Sequence, residues 1–303
     1  MNTTSQSTSP TSINIASILQ KYSWNWQGQQ LWVVYETAGE GTPVLLLPAF
    51  STVSSRSEMV ALANLLAPHF QTVRLDWPGF GDSDRPALQY NPAIYQQFLA
   101  DFVKTIFKTP VAVVAAGHSA GYVMQLAKQQ PDLFSHIVVT APTWRGPLPT
   151  MAGKQQDWFG IVREAVRSPI LGDILYTLNT APPFLSYMYQ SHVFTDSKIL
   201  TSSFIDQKWQ ITQQPGGKFA PVAFVTGALD PVQTSSEFLS LFDSISLPIM
   251  VAIGEQCPPK SKQEMDTLAQ LPNVQSRNLP GSLGMHEEFP GEIAAEILPF
   301  LQN

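Results

Sequence analysis

Four short, mostly apolar segments, TPVLLLPAF (42–50), FQTVRLDWPG (70–79), VAVVAAG (111–117) and SHIVVTAP (135–142), recur with helix-length stretches between them. A strand with one wet face alternates apolar and polar residues. A strand apolar on both sides must be covered on both faces, as in a parallel sheet sandwiched by helices. A further pair, LPIMVAIG (247–254) and NVQSRNLPG (273–281), flanks the helical SKQEMDTLAQL (261–271). Upstream, YSWNWQGQQLWVVYETAG (22–39) alternates around Gly28 and reads as an antiparallel hairpin. The strand pattern stops between Trp144 and Lys218, where helical pieces rich in aromatics and Met appear, such as DWFGIVREAVRS and PFLSYMYQSHVF. The expected architecture is therefore α/β: a mostly parallel, doubly wound sheet built from residues 13–143 and 219–303, with a helical cap inserted at 144–218. The Ser/Thr-rich MNTTSQSTSPTS (1–12) is expected to be a disordered tail, with order beginning near Ile13.

Composition narrows the partners. The net charge of -6 carries no block of Lys or Arg, which leaves no electrostatic footprint for nucleic acid or an anionic membrane. No apolar run approaches the ~18 residues of a membrane span. The lone Cys257 excludes an internal disulfide, and no basic, then apolar leader precedes Lys21, so a cytoplasmic protein is expected. No His/Cys/Asp cluster has metal-ligand spacing, and neither a G-x-G-x-x-G nor a Walker sequence is present, so no cofactor is expected. The expected partner is an apolar small molecule.

The chemistry concentrates at Gly-His-Ser-Ala-Gly (117–121), between the buried VAVVAA strand and a helical spacing of Tyr122, Val123 and Leu126. A serine on a tight strand-to-helix turn, with glycine two residues before and two after, is a nucleophile elbow. Gly117 and Gly121 let the backbone bend and let strand and helix approach, and Ser119 is expected to be pushed out over the sheet edge.

This elbow, the strand order and a late histidine resemble the α/β-hydrolase superfamily, in the capped branch that holds serine esterases, C–C hydrolases and haloperoxidases. LDWPGFGDSDRP (75–86) is similar to the loop after that superfamily's fourth strand, and GSLGMHEEFPGEIAAEILPFL (281–301) to the segment with its histidine and last helix. The likeness covers about residues 25–302. It implies Ser119 as nucleophile and His286, after the last strand, as general base. His69 and His136 precede strands and belong at the opposite edge, His118 adjoins the serine and points elsewhere, and His192 lies in the cap. The resemblance places the oxyanion donors at the backbone N–H groups of Ala120 and Phe50, although Pro48-Ala49 replaces the usual His-Gly. It also implies an acid three residues beyond Gly254, where this chain has Cys257, which is expected to be a small buried hydrophobe. Two carboxylates remain as candidates, Glu255 and Asp230, and position favours Asp230, which precedes a helix running back from the catalytic edge. Asp76, Asp82 and Asp84 are expected to bond their own loop. The cap aromatics Trp144, Trp158, Phe159, Tyr176, Phe184, Tyr187 and Tyr189, with Met188, either line an apolar pocket or form core.

The expected activity is hydrolysis of a carboxylic ester or thioester of an apolar small molecule through a Ser-His-acid triad and an acyl-enzyme. A C–C hydrolase or lyase on the same site, and a catalytically degenerate ligand-binding protein, are the alternatives.

Overall fold

The computed structural model describes residues 16–243 and 245–303. The expected tail at 1–12 and the onset of order at Ile13 lie outside the described residues.

Eight strands, β1 (Ile18–Trp26), β2 (Gln29–Ala38), β3 (Pro43–Leu47), β4 (Gln71–Leu75), β5 (Val111–Ala116), β6 (Phe134–Thr140), β7 (Ile249–Gly254) and β8 (Val274–Leu279), form one sheet in the order β1-β2-β4-β3-β5-β6-β7-β8. The first two form the hairpin, registered Trp26 against Gln29. Gln27 and Gly28 make its two-residue turn with φ of 50° and 86°, and Asn25 Oδ1 accepts from Gly28 N at 3.0 Å. β2 pairs antiparallel with β4, and from β4 to β8 every pairing is parallel. All six residues of β5 and all six of β7 are buried, which explains their unbroken apolar sequences.

Helices α1 (Val60–Leu66), α2 (Pro92–Ile106) and α3 (Ser119–Gln129) follow the first parallel strands. Between β6 and β7 the regular structure is helical: α4 (Pro147–Ala152), α5 (Trp158–Arg167), α6 (Leu171–Asn179), α7 (Pro182–Met188), a π turn at Tyr189–Val193, α8 (Ser202–Thr212), α9 (Phe219–Val225) and α10 (Ser235–Ser240). α11 (Pro259–Leu268), the single turn α12 (Met285–Glu288) and α13 (Pro290–Leu301) complete the chain. α1 packs on α13, and α2 on α3.

The main core joins all eight strands' inward residues to these flanking helices. A second apolar cluster of Val53, Leu185, Tyr189, Phe194 and Ile205 seats the inserted helices on the loop after β3. The loop after β3, the turn after β5 and the loop after β8 leave the carboxyl ends of parallel strands, the edge where open α/β sheets place their sites.

Candidate active site

The turn after β5 is tight because Gly117 takes φ of 52°, a conformation that costs a residue with a Cβ. Its carbonyl accepts from both Ala120 N and Thr143 N at 3.2 Å. Gly121 has no room for a side chain, since a Cβ there would fall 2.4 Å from Pro231 Cγ. Ser119 begins α3, but it is not pushed into solvent as the sequence implied. It is 0% exposed, and its Oγ donates to the Pro48 carbonyl at 2.5 Å. The left-handed residue of the turn is Gly117, so Ser119 enters the helix directly and the loop after β3 folds over it.

Of the two backbone donors expected for an oxyanion, Ala120 N is occupied by Gly117 O. Phe50 N has no hydrogen-bond partner among the described residues. The Phe50 ring is buried, stacked on Trp77 at 5.0 Å and edge-on to Tyr95 at 4.8 Å, which fixes the course of Pro48-Ala49-Phe50.

His286 lies in α12, 2% exposed. Its Nε2 is 3.4 Å from Oε2 of Glu58, itself 5% exposed, and its Nδ1 is buried without a partner. Among the described residues no hydrogen bond joins Ser119 Oγ to His286. Glu58 closes the 3-10 turn Arg56–Met59 as half of a capping box: Ser55 caps the turn, and Glu58 Oε1 accepts from Ser55 N at 3.3 Å. Asp76 anchors that turn. It is fully buried, accepts from Arg56 N at 2.5 Å and Asp82 N at 2.8 Å, and is ion-paired with the Arg56 guanidinium. Asp82 also pairs with Arg56, and Asp84 accepts from Trp32 N at 2.8 Å, so the three loop aspartates tie this region together.

The Asp230–His286 pair expected from position is not formed. Asp230 Oδ1 accepts from Gly146 N at 2.8 Å and lies 3.5 Å from His118 Nε2, which also reaches Leu229 O at 2.9 Å. The strand-to-helix turn carries His118 inward, against the loop at 229–231, and that loop holds Asp230 behind the elbow. Burial pushes the Asp230 carboxyl up, to about 8, and the His118 imidazole down, to about 4, so burial favours the uncharged form of each. Glu255, the alternative acid, is exposed at the end of β7. Cys257 is buried, and burial pushes its thiol up to about 11, so it carries no charge at neutral pH. His69 and His192 are exposed, and His136 packs edge-on to Phe300.

The cap aromatics divide. Trp144, Phe159 and Tyr189 are buried, whereas Trp158 and Tyr187 are 51% and 60% exposed and so turn away from any enclosed pocket. Trp144 Nε1 donates to Glu264 Oε2 at 2.8 Å, beside a polar cleft of about 390 Å³ lined by Arg145, Lys260 and Glu264. Among the described residues no group of three or more His, Cys, Asp or Glu is placed to hold a metal ion.

Glu58 is the residue that sequence reasoning missed. Its local signal, Ser-Arg-Ser-Glu, announces a capped turn. Nothing in it announces a histidine 228 positions away.

Comparison with known proteins agrees with this architecture. The epoxide hydrolase CorEH superposes with a TM-score of 0.72 at 17% identity, covering 94% of this chain and 99% of that one. A thermophilic esterase from Thermogutta terrifontis superposes at 0.69 with 16% identity, covering 93% and 98%. An uncharacterized protein of Mycobacterium tuberculosis is 27% identical over 107 residues, 35% of this chain and 31% of that protein's length. The model of the alpha/beta hydrolase family matches residues 44–296, from β3 through most of α13, and the chain belongs to that family.

Proposed function

We propose that the protein is a serine hydrolase cleaving a carboxylic ester or thioester of an apolar small molecule, with Ser119 as nucleophile and His286 as proton carrier. The observation that carries this reading is the buried His286–Glu58 pair. An imidazole removed from water beside a carboxylate, with its other nitrogen left bare, is arranged to take a proton and to be stabilised once it holds one. With Nε2–H directed at Glu58, the lone pair on Nδ1 is the basic atom.

In the first step the substrate displaces the Ser119–Pro48 hydrogen bond. Ser119 Oγ attacks the acyl carbon, its proton passes to His286, and the carbonyl oxygen becomes an oxyanion facing Phe50 N. Collapse expels the alcohol or thiol, which takes the proton from His286. Water, deprotonated by His286, then adds to the acyl carbon; the bond to Ser119 Oγ breaks, Oγ takes the proton back from His286, and the carboxylic acid leaves. The inserted helices meet the loop after β3 through apolar side chains, Val53, Tyr189 and Phe194 among them, which supports an apolar acyl or alcohol group. Serine rather than aspartate at the elbow sets this chemistry apart from reactions that begin with an attacking carboxylate.

A second reading, ligand binding without turnover, is favoured by the closed Ser119–Pro48 bond and by Cys257 at the usual acid position. A panel of p-nitrophenyl esters from acetyl to long-chain acyl separates the two. Turnover that rises with chain length and vanishes in Ser119→Ala supports the hydrolase. Saturable ester binding without product supports the binding protein.

A further inference from the structure

Glu287 and Glu288 flank His286 on α12, and both are taken up by the helices inserted after β6. The buried Lys208 of α8 donates to both carboxylate oxygens of Glu287, at 2.7 and 3.0 Å. Glu288 Oε1 accepts from Thr195 N at 2.7 Å, Thr195 Oγ1 at 2.8 Å and Asp196 N at 2.7 Å. Just upstream, Ser282 Oγ donates to the His192 carbonyl and Gly284 N to the Val193 carbonyl, both at 2.9 Å. The approach at Gly284 leaves no space for a side chain: a Cβ would come within 2.6 Å of Val193 Cγ1 and 2.7 Å of Phe194 Cε1.

Residues 192–196 thus lie as a strap along 282–288, bonded at both ends of the loop that carries the histidine. Two carboxylates beside a histidine on a free loop would point to water. Here one is buried on backbone amides of the inserted segment and the other on its ammonium group.

We propose that the inserted helices are a positioning part of the catalytic site: the strap 192–196 and Lys208 hold the loop bearing His286, and Lys208 sets the charge around it. This rests on the reading of His286 as proton carrier. The charged and titratable groups facing that cluster are Glu58 from the turn Arg56–Met59, Glu287 and Glu288 from α12 itself, and Tyr189 and Lys208 from the inserted segment. Removing the Lys208 ammonium leaves surplus negative charge in that cluster, which favours the protonated form of the imidazole.

The test compares Lys208→Met, Lys208→Arg, Ser282→Ala and the double variant Lys208→Met/Glu287→Met, in which no buried charge is left unpaired. Hydrogen exchange of the peptides covering 282–288 and 192–196 reads the tether directly. Steady-state kinetics and their pH profile read its consequence. Lys208→Met is expected to speed exchange in both peptides and to lower kcat by about tenfold or more with KM changed less than about twofold. The acidic limb of its kcat/KM profile moves to higher pH, and Lys208→Arg restores all three. The double variant keeps the kcat loss, and its acidic limb returns toward the wild-type position. Unchanged exchange in both peptides overturns the tether whatever the activity. Altered exchange with unchanged kcat and pH profile overturns the positioning role, and a raised KM with intact kcat makes Lys208 a binding residue instead. Should Lys208→Met not fold, the double variant and Ser282→Ala decide by the same exchange and kcat readouts. The underlying reading fails separately, by Ser119→Ala retaining wild-type turnover.

Discussion

At Ser119 the hydroxyl proton is held by Pro48 O and the side chain is buried, so the residue contributes one hydrogen bond to the resting fold. Ser119→Ala is expected to abolish at least about 10³-fold of kcat. The same change should shift unfolding free energy by only about 0.5–1.5 kcal/mol, the net worth of such a bond, as read by urea denaturation. Glu58→Gln keeps the shape and the oxygen acceptor while removing the negative charge beside His286, on which the proposed proton transfer relies. A hydrogen bond to a charged group is worth about 1.5–3 kcal/mol, so kcat should fall by about tenfold to a hundredfold, with Glu58→Asp less impaired than Glu58→Ala. Asp230→Asn, in contrast, should leave kcat within a few-fold of wild type, because Asp230 touches His118 and Gly146 and not His286. Ser119 could be singled out because an elbow is a local pattern, and His286 because it follows the last strand of a recognisable family layout. The contact of His286 with Glu58 could not. It depends on which loop folds over the histidine, and Glu58 reaches it through a capped turn held by Asp76 and Arg56.

The elements most legible in the chain were those whose burial is uniform. β5 and β7 are apolar at every position because helices cover both faces, and Gly28 marks its hairpin because a two-residue turn needs positive φ. The inserted helices were harder to read. Helical spacing identifies an apolar face and cannot say what that face meets, so Trp158 and Tyr187, open in the sequence to a pocket or a core, are instead exposed to solvent. The same limit applied to the elbow: the two glycines predict a sharp turn, and only the backbone shows that Gly117 carries the positive φ. Gly117→Ala would place a Cβ 3.1 Å from Ala49 Cβ as well as straining φ. It is expected to cost about 1–2 kcal/mol of stability by the left-handed penalty alone, measured by urea unfolding, and to lower kcat by displacing Ser119.

Across the whole molecule, the buried His118–Asp230 pair ties the elbow to both ends of the inserted helices, through Gly146 at their start and Leu229 beyond α9. Its protonation links stability to pH. Burial pushes the Asp230 carboxyl from its ordinary 3.8 up to about 8, so its contribution is complete below about pH 4, declines as pH rises, and is lost by about pH 8. His118 titrates near 4 against 6.5, so its contribution is present above about pH 6.5 and is lost as pH falls through about 4. Thermal unfolding across pH 5–9 should therefore show Asp230→Asn gaining on the wild type from pH 5 up to about pH 8 and the difference levelling off above that. A constant difference would show that Asp230 stays ionised throughout. Covalent capture reads the proposed role of Ser119: the protein is treated with a fluorophosphonate and the adduct mapped by peptide mass spectrometry. One adduct is expected, on Ser119, formed much more slowly in His286→Ala and Glu58→Gln at equal folded fraction. No adduct on Ser119 in a protein that binds apolar esters, or an adduct whose rate ignores His286, would contradict that role.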